Sequence, residues 1–223
     1  MAEPATRLFL ITPLLEDASF APRLSEACGA GDVAAVLLAL APSDERTLIN
    51  RVKALAPAVQ EHGAAAIVGL GGDPGGSVEI DLAAIAARGG ADGVHLTGAG
   101  APVRGLRERL KGERAVGVGG LRSRDDAMTI GETGADYLMF GEPRADGSLP
   151  SFDVILERAA WWSEIFEPPA VAYAPSLSDV PALAATGIEF VALRDAVWSH
   201  PEGPASAVRA ALAGLSGRRT DDR

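Results

Sequence analysis

Short apolar runs alternate with longer stretches in which apolar residues recur at helical spacing, from one end of the chain to the other. The apolar runs predict buried parallel strands at residues 8–12, 34–38, 64–70, 93–96, 115–118, 137–140, 170–173 and 190–193. The stretches between them predict helices at residues 20–28, 44–62, 80–88, 103–110, 124–133, 152–165, 178–185 and 205–215. Eight elements of each kind predict an α/β fold, a single (β/α)8 TIM barrel over residues 1–216. We expect residues 217–223 to form a disordered C-terminal tail.

A local signature recurs where predicted helices pass into strands: a glycine, an apolar residue, an acid and further apolar residues. It occurs at residues 90–94, 134–138 and 187–191, and more loosely at residues 31–33. The glycine is expected to end the helix in the left-handed conformation, while the acid stays in water. Barrel chemistry occurs at the other end of the strands, so Asp92, Asp136 and Glu189 are expected to be solvated edge residues.

The charge balance and the single cysteine narrow the class of protein. The formal net charge is −10, and no cluster of Lys and Arg is present that would neutralise a nucleic-acid backbone, so no nucleic-acid partner is expected. The first apolar run is broken by Thr12 and Pro13, which argues against a membrane span or a signal peptide. Cys28 is expected to be a small buried hydrophobic residue. These features predict a cytoplasmic protein without a membrane partner.

Two longer motifs carry a family resemblance. They are GADGVHL at residues 90–96 and GADYLMFG at residues 134–141, and RLFLIT at residues 7–12 also fits. In them the chain resembles the thiamine phosphate synthase and TenI superfamily. The resemblance implies a transferase of thiamine biosynthesis that joins hydroxymethylpyrimidine pyrophosphate to a thiazole phosphate. It also implies Mg²⁺ and basic side chains at the strand ends, because the departing pyrophosphate must be neutralised.

The chain departs from the family pattern where pyrophosphate and Mg²⁺ are expected to bind. The family's Arg and Lys after the second strand correspond to LALAP at residues 38–42. Its Asn-Asp pair after the third strand corresponds to GLGG at residues 69–72, and its metal-binding Asp after the fourth strand corresponds to Gly100. Asp73 is left as the candidate metal ligand, or as the cap of a glycine turn. No cofactor is therefore expected, and Mg²⁺ only if synthase activity is retained.

The fifth and sixth loops keep only part of a phosphate site. The family's Ser, and the His two residues later, correspond to Gly119 and Leu121, which also removes the histidine expected of thiazole tautomerases such as TenI. Its Thr-x-Thr-Lys corresponds to residues 146–149. Ser148 remains there as a donor to phosphate, and Arg144 is the nearby cation of that loop.

The seventh loop has lost backbone donors. The family's glycine pair corresponds to APS at residues 174–176, and the proline has no N–H to offer a phosphate. Ser176, Ser178 and Arg194 are predicted to rebuild a weaker anion site, unless Asp195 already pairs with Arg194. The candidate substrate- or phosphate-binding residues are His95, Gly119, Arg144, Ser148, Ser176 and Arg194.

Several candidates have a structural alternative. His95 ends the fourth strand and matches a family residue, yet a buried imidazole that supports the barrel explains it equally well. The glycines in residues 117–120 allow a backbone to approach a ligand or relieve crowding at the rim. Asp125 and Asp126 fit the first turn of a helix capped by Ser123 better than they fit a metal site.

Adjacent indoles at Trp161 and Trp162 cannot both face the barrel wall. With Trp198 they predict a subunit interface in a homodimer, or packing against a neighbouring helix.

The departures predict a divergent family member with weak or no synthase activity, because each lost electrostatic contact slows transfer. The alternative is a non-catalytic barrel that binds a partner or a metabolite such as a phosphorylated small molecule. A third hypothesis is an enzyme of different chemistry using Asp73, His95, Arg144 and Arg194, which requires those groups to lie close together.

Overall fold

Eight parallel strands close into a barrel in the order in which they occur along the chain. The computed structural model describes residues 5–71, 80–144 and 146–217. The strands are β1 (Arg7–Ile11), β2 (Val33–Leu40), β3 (Ala65–Leu70), β4 (Gly93–Thr97), β5 (Ala115–Gly119), β6 (Tyr137–Phe140), β7 (Ala170–Tyr173) and β8 (Phe190–Leu193). β8 pairs with β1 to complete the closure. The predicted (β/α)8 barrel is confirmed. Residues 218–223 of the predicted disordered tail lie outside the described residues.

Helices follow the strands on the outside of the barrel. They are α1 (Ala21–Cys28), α2 (Glu45–Gln60), α3 (Leu82–Gly89), α4 (Val103–Leu110), α5 (Arg124–Gly131), α6 (Phe152–Ile165), α7 (Val180–Ala184), α8 (Asp195–Trp198) and α9 (Pro204–Ser216). The predicted helix at residues 178–185 is a 3-10 turn, Leu177–Asp179, that continues into α7. The sequence did not predict α8, because four residues are too few to show helical periodicity. None of the described helices combines the length and apolar character that crossing a membrane requires.

Alternate strand residues supply two separate layers of the core. One set points into the barrel, where Phe9, Ile11, Tyr137 and Met139 pack together. The other set points outward against the helices and forms the larger cluster, to which Cys28 also belongs. Cys28 is buried as predicted, and burial raises the pKa of its thiol to about 12. The barrel interior is therefore a packed core of side chains.

The helix-to-strand joints form a regular hydrogen-bonded ring at the N-terminal end of the barrel. Asp92 Oδ2 accepts a hydrogen bond from the Ala66 N–H at 2.8 Å, and Asp136 Oδ2 accepts one from the Val116 N–H at 2.8 Å. Glu189 Oε2 accepts from the N–H of Ala170 at 2.9 Å. The preceding glycines have positive φ, as predicted. The predicted contact with water is confirmed for Asp92 and Asp136, which are exposed, whereas Glu189 is half-buried. Each acid in addition binds one of the first residues of the neighbouring strand, which the sequence did not predict.

All three indoles have contacts within the chain. Trp162 is buried, and its Nε1–H donates to Pro168 O at 2.7 Å. Trp198 is also buried and donates to Ile11 O at 2.6 Å. Trp161 is half-buried, and the guanidinium carbon of Arg124 lies 4.8 Å from the centroid of one of its rings. These contacts favour packing within the chain, and the homodimer stays a prediction.

Candidate functional site

A cavity of about 800 Å³ opens at the C-terminal end of the barrel. Strand ends and the loops that follow them form its wall, as is general for TIM-barrel enzymes. Its apolar side comes from Ile11, Leu37 and Met139, and its polar side from residues on β4 and in the loops after β5 and β6. The cavity above the packed interior thus has the volume of a small-molecule site, with an apolar side and a polar side.

The predicted site residues divide between this cavity and its surroundings. His95, Arg144 and Arg194 line the cavity together. Ser148 Oγ accepts a hydrogen bond from Arg144 Nη1 at 3.2 Å, beside the described lining. Ser176 Oγ instead donates to Asp179 Oδ2 at 2.7 Å in a capping box, and Ser176 is not among the described residues of the lining. The Asp73 prediction lies outside the described residues.

His95 is part of the cavity floor and is only 7% exposed. Its Nδ1 lies 2.9 Å from the Tyr137 hydroxyl, and the two rings stack with their centroids 5.7 Å apart. Burial lowers the pKa of His95 to about 4, so the imidazole is neutral at neutral pH. His95 is therefore a buried imidazole that packs inside the barrel, as the structural alternative expects, and it also lines the cavity.

Glu142 is the main residue that sequence reasoning missed. It follows β6 by two residues, after Gly141 at φ 84°, and its carboxyl lines the cavity. Its Oε1 accepts a short hydrogen bond from the Gly120 N–H. Burial raises the pKa of this carboxyl, against the opposing effects of that N–H and of Arg158. The signal was an acid directly after a barrel strand, the position where ligand-contacting groups of this fold lie.

The glycines of β5 make room for the side chains of the floor. A Cβ on Gly117 would lie 1.9 Å from Tyr137 Cζ, inside the phenol ring. A Cβ on Gly119 would lie 2.3 Å from Glu142 Oε1 and 2.8 Å from His95 Nε2. The predicted alternative of relieved crowding is therefore confirmed for both glycines. The missing side chain at Gly119 is what allows Glu142 and His95 to approach each other.

Arginines form a cationic side of the cavity. Arg122 and Arg158 line it in addition to the predicted Arg144 and Arg194. Arg158 is held in place, because it donates to Leu121 O at 2.8 Å and to the carbonyl oxygen of Arg122 at 2.9 Å. Sequence reasoning missed Arg158 because it lies on α6, far along the chain from the loop that it reaches.

Arg194 pairs with Asp195, as the sequence suggested. Its Nε lies 3.2 Å from Asp195 Oδ1, an ion pair that lacks hydrogen-bond geometry. The side chain of Asp195 is well exposed, so this pairing is weak and leaves most of the Arg194 fork available to an anion.

A family model described as thiamine monophosphate synthase matches residues 8–197 of the chain. The chain belongs to the thiamine-phosphate synthase family. The "Thiamine-phosphate synthase" of Rhodospirillum centenum is 38% identical over 205 residues, which cover 91% of this chain and 94% of that protein. A protein of the same name from Hyphomonas neptunium is 35% identical, with 93% of this chain and 92% of that protein covered.

Solved structures agree on the fold of this family member. The thiamine phosphate pyrophosphorylase from Pyrococcus furiosus superposes with a TM-score of 0.72 at 21% identity, covering 94% of this chain and 95% of that one. A 3-hexulose-6-phosphate synthase superposes with a TM-score of 0.68 at 18% identity, covering 92% and 98%. At these identities the superpositions support the barrel and nothing finer.

The two carboxylates that the described part of the cavity contains, Asp126 and Glu142, fit a Mg²⁺ site poorly. Asp126 Oδ2 accepts the N–H groups of Arg122 and Ser123, each at 2.9 Å, and these hydrogen bonds lower the pKa of the carboxyl. This capping box confirms the predicted helix cap. Glu142 Oε1 is bound to the Gly120 N–H, and burial raises the pKa of this carboxyl, which disfavours the ionised form that Mg²⁺ takes. Among the described residues, no three His, Cys, Asp or Glu side chains are grouped to hold a metal.

Proposed function

We propose that this family member has weak or no activity in joining hydroxymethylpyrimidine pyrophosphate to thiazole phosphate, and that its cavity binds a small phosphorylated molecule. The observation that carries the proposal is the state of the two cavity carboxylates. A helix cap binds Asp126 Oδ2 and a backbone N–H binds Glu142 Oε1, so each carboxylate has one oxygen fewer to offer the metal of a departing pyrophosphate. The replacements at residues 38–42 and at Gly100 support the same conclusion, because they remove the cations and the acid of the family pattern.

The cationic side of the cavity supports the second half of the proposal. Arg144 is exposed, and Arg194 pairs with the exposed carboxylate of Asp195 among the described residues, so both guanidinium groups can pair with phosphate oxygens. Gly120 and Gly141 also line the cavity and add no side chain to it. A cytoplasmic location belongs to the same proposal and is supported by the buried, unpaired thiol of Cys28.

A turnover assay tests the catalytic half. The purified chain is given both substrates with Mg²⁺, and pyrophosphate release is compared with that of a family member carrying the full Arg-x-Lys, Asn-Asp and Thr-x-Thr-Lys set. Because one lost electrostatic donor costs about 10²- to 10³-fold in rate, we expect release at least about 10³-fold slower than that reference. Release at a comparable rate would contradict the proposal.

A second candidate, retained synthase activity, is favoured by the relatives. Proteins named thiamine-phosphate synthase match this chain at 35–38% identity over nearly their whole length. The same assay separates the two candidates, since only retained activity produces robust pyrophosphate release.

The binding half is tested on its own by titrating thiazole phosphate against Arg144→Gln and the control Arg209→Gln, on the outer helix α9. Removing one charged hydrogen bond to phosphate is expected to weaken binding about tenfold, and the control is expected to bind as the parent chain does. No binding of any phosphate, together with a stable dimer in solution, would favour the alternative of an interaction role.

A further inference from the structure

The chain continues past the end of β1 as a short segment that lies along β2 at the rim of the cavity. This segment, residues 12–15, is called the β1 extension. The Leu15 N–H donates to Ala39 O at 2.8 Å, and Leu15 O accepts from the Ala41 N–H at 2.9 Å. These two hydrogen bonds form an isolated parallel bridge between Leu15 and Leu40. The β1 extension is therefore bound to the end of β2 through its backbone.

A buried arginine of α2 also binds this segment. Arg51 is only 9% exposed, and its Nη1 donates to Leu15 O at 3.0 Å and to Ala41 O at 2.8 Å. Charged donors form the stronger hydrogen bonds to carbonyl oxygens, and arginine is seldom buried to this extent unless it has a specific partner. One guanidinium nitrogen thus ties the β1 extension to the residue that follows β2.

Leu14 is the residue of the β1 extension that reaches the cavity. Its side chain is 48% exposed, and it lines the cavity together with Ile11 and Ala39. A Cβ on Gly71 would lie 2.5 Å from Leu14 Cδ1, so the two residues are in close contact. Gly71 directly follows β3, and β2 lies between β1 and β3 in the barrel. The Leu14 side chain therefore covers the ends of β2 and β3.

The side of the cavity at β1, β2 and β3 is apolar. Its described lining includes Ile11, Leu14, Leu37, Ala39, Leu70 and Gly71. Thr12 adds a hydroxyl, which accepts a hydrogen bond from the Ala39 N–H at 2.9 Å and is buried. The Arg and Lys and the Asn-Asp pair of the family pattern correspond on this side to residues 38–42 and 69–72. An apolar surface has thus replaced a charged one, and it favours an apolar group over a second phosphate.

We propose that Arg51 is a positioning residue, which acts through the backbone of the β1 extension to keep Leu14 over the ends of β2 and β3. Leu14 in turn is a specificity-determining residue that selects a phosphate monoester with an apolar organic group. The apolar group packs on Leu14, and the phosphate pairs with Arg144 and Arg194. This inference rests on the proposed function, because it requires a phosphorylated molecule in the cavity, and it adds the class of that molecule.

The test is a calorimetric titration with two probes, phenyl phosphate and inorganic phosphate, in one buffer. The parent chain is expected to bind phenyl phosphate about tenfold more tightly than phosphate, because the ring and the cavity wall remove apolar surface from water. Leu14→Ala is expected to bind phenyl phosphate about fivefold more weakly and inorganic phosphate as the parent does. Ile165→Ala removes an exposed apolar side chain at the end of α6 and is the control, with no expected change.

Arg51→Met removes both hydrogen bonds and keeps a long unbranched side chain. It is expected to bind phenyl phosphate about fivefold more weakly although Leu14 is still present, and to bind inorganic phosphate as before. Arg51→Lys keeps a charged donor, so it is expected to recover part of the loss. Lys53→Met, at an exposed position of the same helix, is the control and is expected to change neither affinity.

A double variant shows whether Arg51 acts through Leu14. In Leu14→Ala combined with Arg51→Met, the loss of phenyl phosphate affinity is expected to be no larger than in either single variant. A role of Arg51 in stability alone would lower the unfolding temperature and leave the ratio of the two affinities at its parent value. If Arg51→Met does not fold, Arg51→Lys takes its place, with an expected ratio between those of the parent and Leu14→Ala.

The proposed roles of Arg51 and Leu14 are overturned if the parent binds both probes alike, if either single variant keeps the parent's ratio, or if the losses add in the double variant. Those results leave the proposed function standing, since phosphate still binds. Failure of both probes to bind overturns the proposed function itself. Robust pyrophosphate release overturns its catalytic half and leaves the ratio of the two affinities unaffected.

Discussion

The two ends of this barrel use the same residue types in opposite ways. At the N-terminal end, Asp92, Asp136 and Glu189 are each bound to the backbone of a neighbouring strand. At the C-terminal end, Glu142 and His95 are enclosed at the base of a cavity, and burial shifts the pKa of each towards its uncharged form. One end uses charged groups to hold the strands together, and the other end places polar groups beside open space, where burial disfavours their charged forms.

This difference between the two ends indicates that separate groups of residues serve stability and binding in this fold. The acids of the N-terminal end stay in contact with water, so their charges cost little while they satisfy strand N–H groups. The groups of the floor are desolvated, which is costly for stability and useful only if something is bound there. Mutations at the two ends should therefore separate unfolding from binding.

The largest effect is expected just beneath the floor, at Gly117. In Gly117→Ala the new Cβ would lie 1.9 Å from Tyr137 Cζ, so the ring must leave its place in the packed barrel. We expect the free energy of unfolding to fall by about 3 kcal/mol or more, measured by urea denaturation. Gly105→Ala, on α4 with open space around it, is the control and is expected to gain about 0.5–1 kcal/mol. Equal effects at the two glycines would refute the packing argument.

The second effect is the pH dependence of the free energy of unfolding that His95 causes at the C-terminal end. Its pKa is about 4 in the folded chain and 6.5 as a free side chain, so the unfolded chain binds a proton that the folded chain does not. Its stabilising contribution is full above pH 6.5 and is lost as the pH falls towards 4, up to about 3 kcal/mol in total.

The measurement is urea denaturation of the parent and of His95→Gln between these pH values. Glu142 acts in the opposite sense, because its raised pKa makes the folded chain hold a proton that the unfolded chain releases above its ordinary value of 4.5. The contribution of Glu142 is present in both proteins. The difference between their slopes of unfolding free energy against pH is therefore due to His95. Parallel slopes would show that His95 is not desolvated.

The smallest effect is expected at the N-terminal ring. Asp136→Ala removes the acceptor of the Val116 N–H and the ion pair with Arg107, at an expected cost of about 1–2 kcal/mol in unfolding free energy. Binding of thiazole phosphate should not change, because Asp136 lies at the far end of the barrel. The matched change Asp125→Ala, at an exposed helix start, is expected to stay within about 0.5 kcal/mol of the parent. Weakened binding of thiazole phosphate to Asp136→Ala would contradict the separation of the two ends.

Much of the architecture was readable because it repeats. The apolar runs matched the strands to within a few residues, and glycine ended α3 with positive φ, as predicted. Local patterns of this kind involve neighbours in the chain, so their physical meaning does not depend on the rest of the fold. The place of His95 at the cavity was readable for a similar reason, since the end of a barrel strand has a known direction.

The cavity was only partly readable, because its groups come together from distant parts of the chain. Glu142 and Arg158 were missed, and Ser176 turned out to cap a 3-10 turn through Asp179. The sequence by itself determined the barrel, its joints and the residues that end its strands, since these depend on periodicity and on glycine geometry. Only the tertiary structure decided which polar groups are desolvated and which are already bound, because that depends on side chains that reach across from other strands and helices.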